Sequence, residues 1–512
     1  MGTGLGHFLP QLLYVFFLLG CVISLFRPRF GIFVLIPCLP QQTGRYHLLE
    51  YPLGNHFIDL LMLSIAAGLI LSGKRLFPKT PFGKVFAALF VVNYIGLWAG
   101  SLIFGAAPPI WFTQRVIDWI YYMRLPIVFY LVLASIENVR QMKILLLLMG
   151  LSFLWVEKGF YQSMRGRNTS HYNDNIRDAG PLGWVGQNGL AAFELECTVF
   201  LIGPLACLGW KLHHRAALLA MGAAGVLGVL FSYSRGAYLG MAGAAVYAGI
   251  FKMRILLVAL VVTIVAAPAI LPQSVIERIL MTYNAQGQLE SSAQERVDLW
   301  NDAFHLIQRE PIFGVGYDGF AIYRGEEAQE KAINQLRDTH NMYVRTLIES
   351  GVVGLAILLV LFVSLFRTGH ALFREAHDPF LRGLGLGFAT QMVAVILCNC
   401  FGDRWTFIEI SGFTFTLAAM VTRARWITQE SEAADAEIAG GAAPIATGLG
   451  AKRDAGLQLA KPGVSRVKAG RQIQLWNTYR EPDANRGGFL PFGVREWNAR
   501  SLRLPNAWTF GV

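Results

Sequence analysis

Long apolar runs at residues 10–26, 85–104, 216–231, 255–271, 352–366 and 407–421 constrain this chain more than any other feature. Each approaches the ~17–25 apolar residues with which one helix crosses about 30 Å of hydrocarbon. Inside a bilayer every backbone N–H and C=O must be satisfied by the protein itself, so only helices and closed barrels can span it. The runs lack the period-two alternation of a barrel strand, which leaves helices. Composition agrees, since 54% of the 512 residues are hydrophobic and only 15% are charged, against roughly a quarter charged in soluble domains. The expectation is an all-α, polytopic integral membrane protein with about 12–13 transmembrane helices and one large external loop. The first run has no cationic residues ahead of it and no small-residue cleavage site, so it reads as a retained helix and not a removable signal peptide.

The net charge of +11 does not require nucleic acid as a partner, because the basic residues punctuate alternate loops. They fall at Arg27 and Arg29; at Lys74, Arg75, Lys79 and Lys84; at Arg140 and Lys143; at Lys211 and Arg215; at Lys252 and Arg254; at Arg367, Arg374 and Arg382; and at Arg423 and Arg425. This is the positive-inside pattern, and it also suits anionic membrane lipids as neighbours. Taking these loops as cytoplasmic places residues 41–55, 105–114, 157–188, 232–236, 271–343 and 402–405 outside. Every loop with chemically distinctive residues then shares one face. The count is about thirteen spans with an external N-terminus, or about twelve with both ends cytoplasmic if the short run at 30–39 is re-entrant. Cys21, Cys38, Cys197, Cys207, Cys398 and Cys400 lie in or beside apolar runs and read as packing residues, with neither a disulfide framework nor zinc spacing.

The pattern divides the chain into a transmembrane bundle at 1–270, a polar segment at 271–343, a second bundle at 344–426 and a tail at 427–512. The tail is rich in Ala, Gly, Arg and Pro, has no span-length run, and reads as mostly disordered, cytoplasmic and dispensable. Its late aromatics, Trp476, Phe489, Phe492, Trp497 and Trp508, leave a partner-binding role open. No internal repeat marks a solenoid or an inverted-repeat transporter.

Candidate chemistry concentrates in the external loops. In Ser232-Tyr233-Ser234-Arg235-Gly236-Ala237, an arginine stands between two apolar runs. At mid-bilayer it would cost about 2.5–3.5 kcal/mol, so it either snorkels at the interface or faces a polar cavity. Residues 295–304 of the polar segment carry apolar positions at 297, 300, 303, 304 and 307, spaced for one face of a helix that begins near Arg296. Pro311-Ile312-Phe313-Gly314-Val315-Gly316-Tyr317 ends that helix with a rigid turn; its Gly-x-Gly lacks the strand-to-helix setting of a dinucleotide site. Thr339-His340-Asn341-Met342-Tyr343 then leads into the next span through Glu349-Ser350-Gly351. A histidine at a membrane–water boundary can exchange a proton near neutral pH or be silent. Asp298 and Asp302, four apart, could approach each other, but no Asp-x-Asp metal motif is present, and Asp318, Asp338 and Glu349 read as orienting or structural.

Taken together, Ser234-Arg235-Gly236-Ala237, Arg296 with Trp300, Pro311 with Gly314 and Gly316, His340-Asn341, and Glu349-Ser350-Gly351 with Gly354 resemble the O-antigen ligase family, which shares a domain with O-antigen polymerases. The similarity covers roughly residues 180–425. Gly180-Pro181-Leu182 and Gln187-Asn188-Gly189-Leu190-Ala191, with Arg165 upstream, are similar to the ligases associated with exosortase-type protein sorting and O-glycosylation. The resemblance implies a glycosyltransferase of the bacterial inner membrane that moves a glycan from undecaprenyl diphosphate to an acceptor hydroxyl on a lipid core sugar or a protein, at the periplasmic face and in service of cell-envelope polysaccharide.

That chemistry needs no nucleotide sugar, cofactor or metal. It implies that Arg235 and Arg296 stabilise the diphosphate leaving group through planar, charge-assisted hydrogen bonds, and that His340, kept neutral by those arginines, is the general base. Attack opposite the diphosphate inverts the anomeric centre. Ser234, Asn341, Arg165, Gln187 and Asn188 are the expected substrate-binding residues. Two rivals remain at this level: a polymerase of lipid-linked repeats, and a transporter of the lipid-linked glycan.

Overall fold

The computed structural model describes residues 9–41, 48–110, 112–209, 211–281, 291–320, 322–323 and 339–441. Residues 282–290 and 324–338 of the polar segment, with Asp338, and the tail from 442 with its five aromatics lie outside the described residues. The chain divides into units at 1–443 and 444–512, and all of the helices belong to the first among the described residues.

The described residues form helices throughout, in the order α1 Leu9–Phe26, α2 Pro28–Cys38, α3 Phe57–Leu71, α4 Gly83–Phe104, α5 Gln114–Ser135, α6 Val139–Met164, α7 Gly186–Phe200, α8 Ile202–Cys207, α9 Leu212–Phe231, α10 Arg235–Phe251, α11 Ile255–Val265, α12 Ala267–Ile270, α13 Gln273–Leu280, α14 Ser291–Arg309, α15 Met342–Glu375, α16 Pro379–Cys398 and α17 Ile408–Gly441, with short 3-10 turns between. Eight helices among the described residues are long and apolar enough to cross a membrane, and three shorter apolar ones, including the one over 28–38, accompany them. The protein is an all-α, multi-pass membrane protein. α17 continues through Trp426 to Gly441.

Apolar side chains face both inward and outward, as expected where lipid replaces water. α11 buries none of its residues and exposes Val258, Val261 and Val262 by more than half. α16 is the opposite case, lying among α7, α8, α10, α15 and α17. Its Gly383, Gly385 and Gly387 meet the backbones of Gly203, Gly369 and Phe200. Small residues at such crossings let helices approach closely, which supplies the packing that the hydrophobic effect cannot supply in lipid. A buried polar junction ties the same region: Gln391 on α16 donates to Glu196 on α7 (3.3 Å) and to Thr414 on α17 (2.6 Å), and Thr414 donates to Glu196 (2.5 Å).

Candidate functional site

The starts of α7 and α10 and the turn after α16 line a polar cleft, and the start of α15 is fastened to that turn. On α15, Asn341 is the N-cap, its side-chain oxygen accepting from the amides of Tyr343 (2.9 Å) and Val344 (3.2 Å). Such a cap satisfies donors that the helix itself leaves open. The amide of Met342 donates to the carbonyls of Asn399 and Gly402, both at 3.0 Å, fastening the start of α15 to the turn after α16. On the other side, Trp300 of α14 donates from Nε1 to the carbonyl of Thr339 (2.9 Å). Between these anchors His340 is held at φ 51°, a left-handed conformation that non-glycine residues adopt rarely and at a cost of order 1–3 kcal/mol.

Burial is the largest influence on His340 and holds its imidazole below the ordinary range; Arg296 and Arg404 add to this, while Asp403 and Glu295 oppose it. Desolvation and neighbouring cations both disfavour the charged ring, so the neutral form, the one able to accept a proton, is favoured.

Behind His340 a chain of ion pairs braces the turn. Arg345, in the first turn of α15, donates to Asp403 (3.2 Å) and to Glu349 (3.1 Å), and Glu349 also accepts the amide of Asp318 (3.1 Å). The Pro311–Tyr317 segment is docked onto the same helix by main-chain bonds, from Val315 to Ile348 (2.8 Å), Gly316 to Glu349 (3.1 Å), and Val352 to Pro311 (3.0 Å). A β-carbon on Gly316 would stand 2.9 Å from Cα of Gly100, and one on Gly314 would stand 2.6 Å from the amide of Ser350. The glycines of this segment therefore permit backbone-to-backbone contact; they do not form a phosphate loop.

The opposite wall is the 232–236 turn. Arg177 donates to Asn188 (2.8 Å) and to the carbonyl of Ser232 (3.4 Å), while Arg278 of α13 donates to the carbonyl of Tyr233 (3.3 Å) and lies over the Tyr172 ring at 4.7 Å. Tyr233 is fully buried at φ 55°, its hydroxyl 3.1 Å from Ser274. These contacts hold Ser234 at the N-cap of α10 and half-buried Arg235 at its first position. Asn188, Ser234, Gly236, Asn399, Gly402 and Arg404 line one cleft.

Thus Asn188 and Ser234 share a cleft with Arg404, and Arg404 is also within electrostatic reach of His340 together with Arg296. Arg235 follows Ser234 directly and donates to the carbonyl of Met281 at 3.5 Å. Gln187 is half-buried in the first turn of α7, and Arg165 is exposed at the end of α6, outside the cleft lining. Arg404, besides Arg296, bears on the imidazole. Asp403, Arg404, Arg177 and Arg345 were not singled out by sequence; the only signal for the first two was their place in an external turn. The buried face of α14 agrees with the sequence pattern at Trp300, Ala303 and Ile307, which join Leu299 and Leu306 against Val315, Phe320 and Ile348, and departs from it at Val297 and Phe304, which are 37% and 48% exposed. The partner surface, offered by the docked glycine segment, selects that face.

Residues 217–359 match the family model described as O-antigen ligase. The match contains Arg235, Arg296, His340 and Asn341; Asn188 and Arg404 lie beyond it. The chain is also 27% identical over 92 residues to an uncharacterized protein of Haemophilus influenzae (strain ATCC 51907 / DSM 11121 / KW20 / Rd), an alignment that spans 17% of this chain and 23% of that relative. The matched segment, set in a multi-pass helical fold, supports a relationship to the O-antigen ligase family.

Proposed function

We propose that the protein transfers a glycan from undecaprenyl diphosphate to an acceptor hydroxyl, on a lipid core sugar or a protein, at the periplasmic face of the bacterial inner membrane. The observation that supports this reading is the juxtaposition of a half-buried, neutral-leaning histidine with Arg296, both in the segment matched as O-antigen ligase, and with Arg404 beyond it. In the reaction, His340 takes the proton of the acceptor hydroxyl as the oxygen forms a bond to the anomeric carbon. The bond from that carbon to the diphosphate oxygen breaks, and its electron pair leaves with the diphosphate. Arg235 and Arg296 receive that charge, for which planar guanidinium groups are suited. Ser234, Asn188, Gln187, Asn341 and Arg165 are the proposed contacts along donor and acceptor. Attack from the side opposite the diphosphate inverts the configuration, and no metal is needed in this scheme because the guanidinium groups take the charge.

The test is purified protein in lipid, supplied with a lipid diphosphate-linked glycan and candidate acceptors, with products read by mass spectrometry. One new glycoside on a different acceptor supports a ligase. A ladder of repeat units would assign a polymerase, and movement of the lipid without a new glycosidic bond would assign a transporter.

A further inference from the structure

The glycan-ligase reading leaves a charge problem unsolved. When His340 accepts a proton it becomes an imidazolium within electrostatic reach of Arg296 and Arg404, at a half-buried position. Two carboxylates oppose those arginines. Glu295 is exposed on α14, where water and salt weaken its field. Asp403 is 2% exposed and is fixed twice over. Its backbone follows Gly402, whose carbonyl accepts the Met342 amide at 3.0 Å, so the turn that bears Asp403 is tied to the segment that bears His340. Its side chain accepts from Arg345 (3.2 Å), which is itself anchored on Glu349 (3.1 Å), and Arg404 lies at 3.8 Å.

We propose that Asp403, locked in place by Arg345, is the positioning carboxylate of this site, balancing the imidazolium that forms on His340 when the acceptor gives up its proton. The inference rests on the ligase reading for its catalytic meaning. Asp403 does not take the proton: the proton stays on His340 while the new C–O bond forms and the electron pair of the old one leaves with the diphosphate. The neighbouring Arg404 has the opposite effect on the ring. It lines the cleft that holds Ser234, and it adds to burial and Arg296 in keeping His340 neutral before reaction.

The experiment titrates His340 directly in the full chain in lipid nanodiscs. Diethylpyrocarbonate modifies neutral imidazole, and the extent of modification at His340 against pH, read by peptide mass spectrometry, needs no turnover. Asp403→Asn should move the midpoint down by about one pH unit, the scale on which a close charge acts, and Arg404→Gln should move it up. In glycan transfer, Asp403→Asn should lower kcat at least tenfold with the donor KM little changed, and the acid limb of the rate should shift in the same direction as the midpoint. Asp403→Glu should recover part of kcat. A midpoint that stays put or rises in Asp403→Asn overturns the proposal, including the case where only melting temperature or yield falls, which a structural brace alone explains. Opposite midpoint shifts in the two variants, alongside a wild-type protein that makes no glycoside, would support the pairing of Asp403 with His340 and sink the ligase reading, so the two failures are distinguishable.

Discussion

Replacing Gly351 with alanine is the sharpest test of how the site is held. Gly351 interrupts α15 at φ 62° and ψ −164°, a region open essentially to glycine alone, between the short helix that begins beside His340 and the membrane span that follows. Putting a side chain there costs about 1–3 kcal/mol in backbone strain. A β-carbon would also overlap the carbonyl of Ile312 and stand 2.6 Å from the amide of Phe313. Relief requires the 311–313 backbone to retreat, which gives up the bonds from Val352 to Pro311 (3.0 Å) and from Val353 to Ile312 (3.3 Å). At about 0.5–1.5 kcal/mol each, these bring the loss to roughly 2–6 kcal/mol, a large share of the ~5–15 kcal/mol typical of folded domains. Gly105→Ala is the control, since that glycine has a similar φ of 64° but nothing within 4 Å of its β-carbon position; it should lose only about 1–2 kcal/mol. Tryptophan fluorescence melts in nanodiscs should show a clearly lower midpoint for Gly351→Ala than for Gly105→Ala, with transfer lost in step. Equal midpoints for the two variants would refute the close-approach argument.

The remaining predictions concern the reaction and its side of the membrane. His340→Ala should reduce single-turnover transfer by ~10²–10⁴-fold with donor binding retained; unchanged turnover removes His340 as the base. Because burial and Arg296 hold that imidazole below its ordinary value of 6.5, and the neutral form is the active one, transfer should persist as pH falls through 6.5 and fail only below the lowered value; a rate already half lost above 6.5 contradicts this. Arg235→Lys should still be impaired although charge is kept, since an ammonium lacks the planar fork that suits a diphosphate; wild-type rates in this variant would leave Arg235 without a role. A cysteine placed at Gln308, exposed at the end of α14, should react with impermeant reagent from the periplasmic side; labelling from the cytoplasm alone would overturn the topology.

Sequence made the membrane spans legible because a bilayer reads length and apolarity, and both are local properties. It also marked His340, Arg235 and Arg296, whose spacing carries a family resemblance. It did not reveal Asp403 or Arg404, because their importance arises from main-chain bonds between the Met342 amide and residues 399 and 402, some sixty positions away in the chain. Nor did it reveal Arg345, which on sequence alone is one more charged residue near a helix start and in the fold ties Asp403 to Glu349. The buried face of α14 was legible at Trp300, Ala303 and Ile307 but not at Val297 and Phe304: apolar residues lie on more than one side of the helix, and the surface it packs against, which includes Val315, Phe320 and Ile348, covers only some of them. The strained φ of His340 has no local signature either, since it is imposed from both sides by Trp300 and by the Asn341 cap.

Helix ends contribute something that individual residues do not. α7 and α10 begin at Gly186 and Arg235 beside the cleft, and α15 begins at Met342 next to His340. Helix starts present N–H groups and a partial positive charge of about half a unit, so this face favours anions before any arginine is counted. Asn341 uses the donors of α15 for its own cap, whereas Ser234 makes no side-chain cap bond at α10. The cleft lining also includes Glu196, which is held by Gln391 and Thr414 from two other helices. An anionic headgroup in the cleft would meet Arg404 and the start of α10, and beside them a carboxylate that two other helices hold by hydrogen bonds. A passage through this part of the bundle would have to break the bonds among Gln391, Glu196 and Thr414, whereas group transfer at Arg404 and Ser234 would leave them intact.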